Sequence, residues 1–182
     1  MRSEKIGPVI CRLLTSHFLL LTVLFFPACT QPSAPSSKIP LAHTCDSPEA
    51  LAQAVLARLA SRDIDGLKAL ALSEQEFKDH VWPELDTSRP ERNVPFEYAW
   101  GQLKQRSDGV LASTVSRYAG RPLTFVRTSF RGATTEYKSF AVMRESEIVA
   151  ADETGKELVL QLFGSAMLKD GRYKLFSFVV DR

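Results

Sequence analysis

The order of patterns along this chain predicts an α+β domain, with N-terminal helices packed on a curved antiparallel sheet of about four strands. Three observations carry the prediction. Apolar residues from Leu51 to Val115 recur mostly at helical spacing. From Leu123 to Val180, strand-like runs follow one another with no helical pattern between them. Asp170-Gly171 then divides the last two runs, and that pair tolerates the positive φ that a two-residue hairpin turn requires.

The helical half opens at Ser47-Pro48-Glu49: a capping hydroxyl, a proline suited to the first helical position, and a carboxylate that complements the positive helix end. Leu51, Val55, Leu56 and Leu59 form one stripe, and Ser61-Arg62-Asp63 ends the helix. Asp65-Gly66 reads as a turn into a short segment, Leu67 to Leu72. Ser73-Glu74-Gln75-Glu76 resembles a capping box ahead of Phe77 to Trp82, and Pro83 stops that helix. A polar, proline-bearing loop covers 86–95. A longer helix follows from Phe96 to about Tyr118; Gly101 and Gly109 interrupt its pattern, and Gly120 suits a left-handed end.

The strand candidates are Leu123 to Phe130, Tyr137 to Ala150 with a bulge expected near Glu145, Leu158 to Leu168, and Tyr173 to Val180. With Asp170-Gly171 as the loop, Leu168 faces Tyr173, Ala166 faces Leu175 and Leu162 faces Val179 on one side. Met167, Phe163, Phe176 and Phe178 share the other. Both sides are apolar, whereas a sheet with one wet face alternates. The reading therefore expects helices over one face and a partner subunit, a pocket or a loop over the other, with a homodimer through the outer face as the favoured partner.

The 182 residues suit one ordinary domain and a leader, and the 45% hydrophobic and 24% charged fractions are those of a globular protein. Net charge is +2 with both signs scattered, so no basic stripe points to nucleic acid. Arg2, Lys5 and Arg12 precede an uncharged run from Leu13 to Phe26, which is shorter than the ~20 residues a membrane span needs and suits a signal peptide over 1–28. Phe26-Pro27-Ala28-Cys29 resembles the lipobox of bacterial lipoproteins, although Phe26 and Pro27 replace the usual leucine and small residue. The resemblance implies lipidation at Cys29, membrane attachment through that lipid, and placement in the bacterial cell envelope. The Pro- and Ser-rich stretch after it reads as a disordered tether over 29–44, leaving a domain over 45–182. Removal of Cys11 with the leader leaves Cys45 without a disulfide partner.

The helix at 47–62, the Asp63-Ile64-Asp65-Gly66-Leu67 that follows it, and the Lys169-Asp170-Gly171-Arg172-Tyr173-Lys174 entry to the last strand together resemble the NTF2-like (cystatin-like) superfamily. The resemblance implies a sheet wrapped around a helix to leave a conical cavity. Its members include small isomerases, dehydratases, binding modules and secreted proteins without known activity. It says little about function, because one fold hosts many.

Asp79-His80 is the chain's one adjacent carboxylate–imidazole pair and the weak catalytic candidate for an isomerase- or dehydratase-like enzyme; an exposed helix pair is the simpler reading. Trp82, Tyr98 and Trp100, with Arg117 and Arg127 as polar handles, are candidates to line an apolar pocket, against the simpler reading of packing. With His43 and His80 the only histidines after the leader, no metal site or cofactor is expected. The leading reading is a non-enzymatic, exported, lipid-anchored domain that binds a small apolar ligand or a protein partner. A small cavity enzyme and a structural envelope lipoprotein stand beside it.

Overall fold

Ser47 opens the first helix as its chemistry requires: its hydroxyl accepts the Ala50 N–H at 3.1 Å, and Pro48 follows. The computed structural model describes residues 38–180. Within them α1 (Pro48–Ala60), α2 (Ile64–Leu70), the single turn α3 (Glu74–Glu76) and α4 (Phe96–Tyr118) precede every strand. Leu51, Val55, Leu56 and Leu59 are all buried, as their spacing predicts. The expected leader, Cys29 and most of the expected tether lie outside the described residues.

Local chemistry moves several boundaries. Asp63 does not only end α1; its carboxylate caps α2 by accepting the Gly66 N–H at 2.8 Å. Asp65-Gly66 therefore lies inside a helix, not in a turn. The capping box at Ser73 forms in both directions, at 2.8 and 3.2 Å. It opens α3, which widens into a π-turn over Phe77–Val81. The proline-bearing loop contains two 3-10 turns, Asp86–Ser88 and Pro90–Arg92. Helix α4 runs unbroken for 23 residues. Gly101 and Gly109 do not split it, since both sit where added side chains would meet open space. Gly120 just beyond takes φ +79° and donates to Leu59 O at 2.9 Å, tying the end of α4 to the end of α1.

The strands form two antiparallel sheets. One has the order β1 (Thr124–Phe130), β4 (Ser146–Ala151), β5 (Glu157–Leu160); the other has the order β2 (Thr135–Glu136), β3 (Ala141–Arg144), β6 (Ser165–Lys169), β7 (Arg172–Ser177). The expectation of about four strands in one sheet gives way to seven short ones, in two sheets, among the described residues. Glu145, at φ +56°, breaks the second run into β3 and β4, at the site of the expected bulge. Residues 161–164 break the third into β5 and β6. Tyr137 is not in β3; it starts a turn closed by its N–H to Phe140 O at 2.9 Å.

Asp170 and Gly171 take φ +50° and +73°, and Leu168 pairs with Tyr173 and Ala166 with Leu175, as the hairpin reading requires. The register then shifts, so that Ser165 pairs with Ser177 and Phe176 is the extra residue. One inserted residue reverses the alternation beyond it. Phe178 thus joins Phe163, Ala166 and Leu175 in the core around α1, while Phe176 and Met167 pack in a second cluster. The expected sharing of one face by Met167, Phe163, Phe176 and Phe178 fails for this reason at Phe178, and at Phe163 because the strand is broken over 161–164. The expected Leu162–Val179 pair is also absent, because the ladder ends at Ser165–Ser177.

That second cluster holds Leu72, Phe77, Val81, Phe140, Val142 and Met167, with Phe96, Trp100 and Phe176 against it. The second face of the hairpin is thus covered by the chain's own helical segments, α3 to the start of α4. Among the described residues, that face of the hairpin is therefore not left open.

Candidate functional site

Helix α4 crosses β7 so that Trp100, Leu103, Ser107 and Leu111 fall along one side of it. These positions are spaced by three or four residues, the spacing of one helical face. With Leu72, at the junction of α2 and α3, and Phe176 and Phe178 from β7 and its exit, they enclose a cleft of about 250 Å³. The floor is apolar. The rim carries Lys68, Glu74, Lys104 and Asp108, and Lys104 closes onto Asp108 at 2.5 Å, one turn along the helix. The Ser107 hydroxyl accepts the Phe178 N–H at 3.1 Å, which fixes the strand exit against the helix at the bottom of the cleft.

Of the candidates named from sequence, Trp100 alone lines this cleft. Trp82 packs edge-on against Phe96, with ring centroids 5.7 Å apart, inside the second cluster. Tyr98 is 63% exposed and faces solvent from the other side of α4. Arg117 borders a separate, more polar opening with Ser113, Glu147 and Gln161. Arg127 is engaged on the sheet surface with Glu157 at 3.3 Å. The five proposed ligand contacts are therefore not brought together. Leu103, Ser107, Leu111 and Phe176 were missed as cleft residues. The helical spacing of the first three was a usable signal, but Phe176 standing opposite them on β7 was not.

Asp79 and His80 sit in the π-turn, and neither lines the cleft. His80 is buried and donates from Nε2 to Ile39 O at 2.6 Å; among the described residues its buried Nδ1 has no partner. Asp79 Oδ2 accepts the Ile39 N–H at 3.2 Å and Oδ1 accepts from Gln75 at 2.9 Å. The Gln75 amide first, and then the Ile39 N–H, hold the Asp79 carboxyl below its ordinary value. The two side chains thus grip the backbone of one residue, Ile39, from both sides.

That grip is part of a longer seam. Ala42 N–H donates to Glu76 Oε1 at 2.8 Å, and Ala42 O accepts from Lys174 Nζ at 2.6 Å. Cys45 and Tyr173 exchange N–H···O bonds, both at 2.8 Å. Arg172 donates to the Thr44 carbonyl and hydroxyl, each at 3.0 Å, and pairs with Asp46. Residues 39–44, placed in the tether by composition, are bonded to the domain. Composition could not show this, because the bonds run through backbone groups that every residue carries. Cys45 is half-buried against the main core, and burial pushes its thiol up despite nearby Arg172 and Lys174.

Beneath the seam lies a charged pair. Lys174 is 1% exposed and Glu76 3%, with Nζ and Oε1 3.3 Å apart. Lys174 also donates to Ala69 O at 3.3 Å. Burial raises Glu76, but the Ser73 and Ala42 N–H groups and the Lys174 charge outweigh it and hold the carboxyl low. Burial lowers Lys174 against the pull of Glu76.

Comparison with known proteins finds no matching family, no matching curated protein and no matching solved structure. Among the described residues no group of three or more His, Cys, Asp or Glu side chains is placed to hold a metal ion. None of their helices is long and apolar enough to cross a membrane.

Proposed function

We propose that this chain is an exported, lipid-anchored domain of the bacterial cell envelope, NTF2-like in fold, that binds a small apolar ligand in the cleft between the α2–α3 junction and α4. The cleft's apolar floor, formed by Leu72, Trp100, Leu103, Leu111, Phe176 and Phe178, is the observation that carries the binding reading. The volume suits a ligand of one or two rings. The lipid anchor rests on Cys29 and its lipobox-like context. The enzyme reading gains nothing from Asp79 and His80, which hold Ile39 and lie away from the cleft.

Trp100 lines the cleft and Trp82 does not, so a Trp82→Phe protein carries one reporter at the site. Titrated with neutral N-phenyl-1-naphthylamine, it should transfer energy from Trp100 to the probe and saturate. Phe176→Ala should weaken binding about tenfold, as expected for loss of roughly half an aromatic contact. Transfer that never saturates, or that is unchanged by Phe176→Ala, rejects the site. Mass spectrometry of the mature N-terminus tests the anchor separately: an acylated Cys29 supports it, and an unmodified N-terminus elsewhere removes it.

A further inference from the structure

On the far side of Leu103 and Phe176 lies a second, smaller cleft of about 140 Å³. Leu103, Val142 and Phe176 give it an apolar floor. Two cations line it from different elements, Arg106 on α4 and Arg144 on β3. Among the described residues no Asp or Glu side chain does. Arg58, Arg127, Arg131 and Arg172 are each matched to a carboxylate. Among the described residues Arg106 and Arg144 are not.

Two like charges set beside one small apolar hollow without a counter-charge make a positive potential that an anion relieves. The hollow also has hydroxyls. Ser177 is 4% exposed, and among the described residues the only side-chain partner of its Oγ is Ser165 Oγ, at the long distance of 3.5 Å. Both hydroxyls keep capacity for a further acceptor or donor. Tyr137, its ring stacked on Phe140 at 4.5 Å, closes one wall.

We propose that this cleft is a binding site for a small organic carboxylate, the carboxylate held by Arg106 and Arg144 and its apolar body seated on Val142 and Phe176. The guanidinium fork matches a carboxylate with two parallel N–H···O bonds, which an alcohol of the same shape does not provide. The site is distinct in chemistry from the apolar cleft at Trp100 and does not depend on that reading.

The test is isothermal titration of the folded domain with benzoate, benzyl alcohol and inorganic phosphate. Benzoate should bind at least tenfold more tightly than either of the others. Arg106→Gln and Arg144→Gln should each weaken benzoate about tenfold, while the melting temperature stays put because both side chains are exposed. Asp181→Asn should leave benzoate binding unchanged. Equal binding of benzoate and benzyl alcohol overturns the proposal. So do phosphate binding as tight as benzoate, arginine variants that bind like the parent, and a several-fold gain in Asp181→Asn, which would mean that the pair already serves a carboxylate of the chain itself.

Discussion

Glu76 and Lys174 stand 3.3 Å apart, each almost wholly shielded from water, one at the end of α3 and the other in the middle of β7. Each has further partners. The carboxylate takes the Ser73 and Ala42 N–H groups, and the ammonium donates to the Ala42 and Ala69 carbonyls. A buried pair of this kind is weak evidence for net stability, but removing one member strands the other charge in a low-dielectric setting.

The first prediction follows from that asymmetry. Lys174→Met should destabilise the domain by about 3–5 kcal/mol, because Glu76 is left unpaired. Glu76→Gln with Lys174→Met should cost clearly less than the sum of the two single changes. Urea unfolding of the four proteins closes the cycle. Additive losses would show that the two side chains act independently.

The acid side of the stability curve gives a second prediction. The folded-state pKa of Glu76 lies below its ordinary value of 4.5. Its contribution is therefore present above that value and is lost as pH falls below it, through the lowered folded value. Asp63, Asp79, Glu84 and Asp152 are held low as well and share the acid limb. The contrast between the parent and Glu76→Gln isolates one group. Between pH 7 and pH 3 the variant should lose less stability than the parent, and parallel curves would remove Glu76 from the account.

Two glycines should respond differently to alanine. Gly171 has φ +73° with nothing near a Cβ, so Gly171→Ala meets only backbone strain, about 1 kcal/mol. At Gly164 the Cβ would fall 1.5 Å from Val179 O, a clash with backbone. Gly164→Ala should therefore cost more, by pushing the strand exit off β6. Thermal melts of both variants test the order, and Gly171→Ala as the worse of the two would contradict the close approach.

Amide exchange tests the N-terminal seam. Ala42 N–H points into the buried carboxylate, so it should exchange far more slowly than the amides of exposed Thr87 and Glu91. In His80→Ala, protection should fall at Ile39 and Ala42 first, because Ile39 loses one of its two holds. Uniform loss across the domain would indicate global destabilisation instead.

Much of this architecture was legible because it depends on near neighbours in the chain. The Ser47 cap, the Ser73–Glu76 box, the stripe of α1 and the Asp170-Gly171 turn are each set within a few residues. The shift at Phe176 was not legible, since nothing in the composition of β7 marks which residue goes unpaired. Glu76 could be read as a capping partner but not as the partner of Lys174, almost a hundred residues later. The cleft residues on α4 were visible as a stripe, whereas Phe176 opposite them depended on the unseen shift. Tyr98 and Arg127 misled for the converse reason: aromatic and cationic side chains near a loop carry no information about the direction in which they point.

The seam from Ile39 to Asp46 also has a mechanical side. Tension on the chain from its N-terminal side meets the Ile39 clamp first, then the Ala42 carbonyl and amide, and then the paired Cys45 and Tyr173 strands. These attachments would yield in sequence, like rungs released one at a time, before load reached α1. The first rungs to give way are those at Ile39 and Ala42, beside Glu76 and Lys174, so a pull from the N-terminal side would hydrate the buried pair while the main core stayed closed.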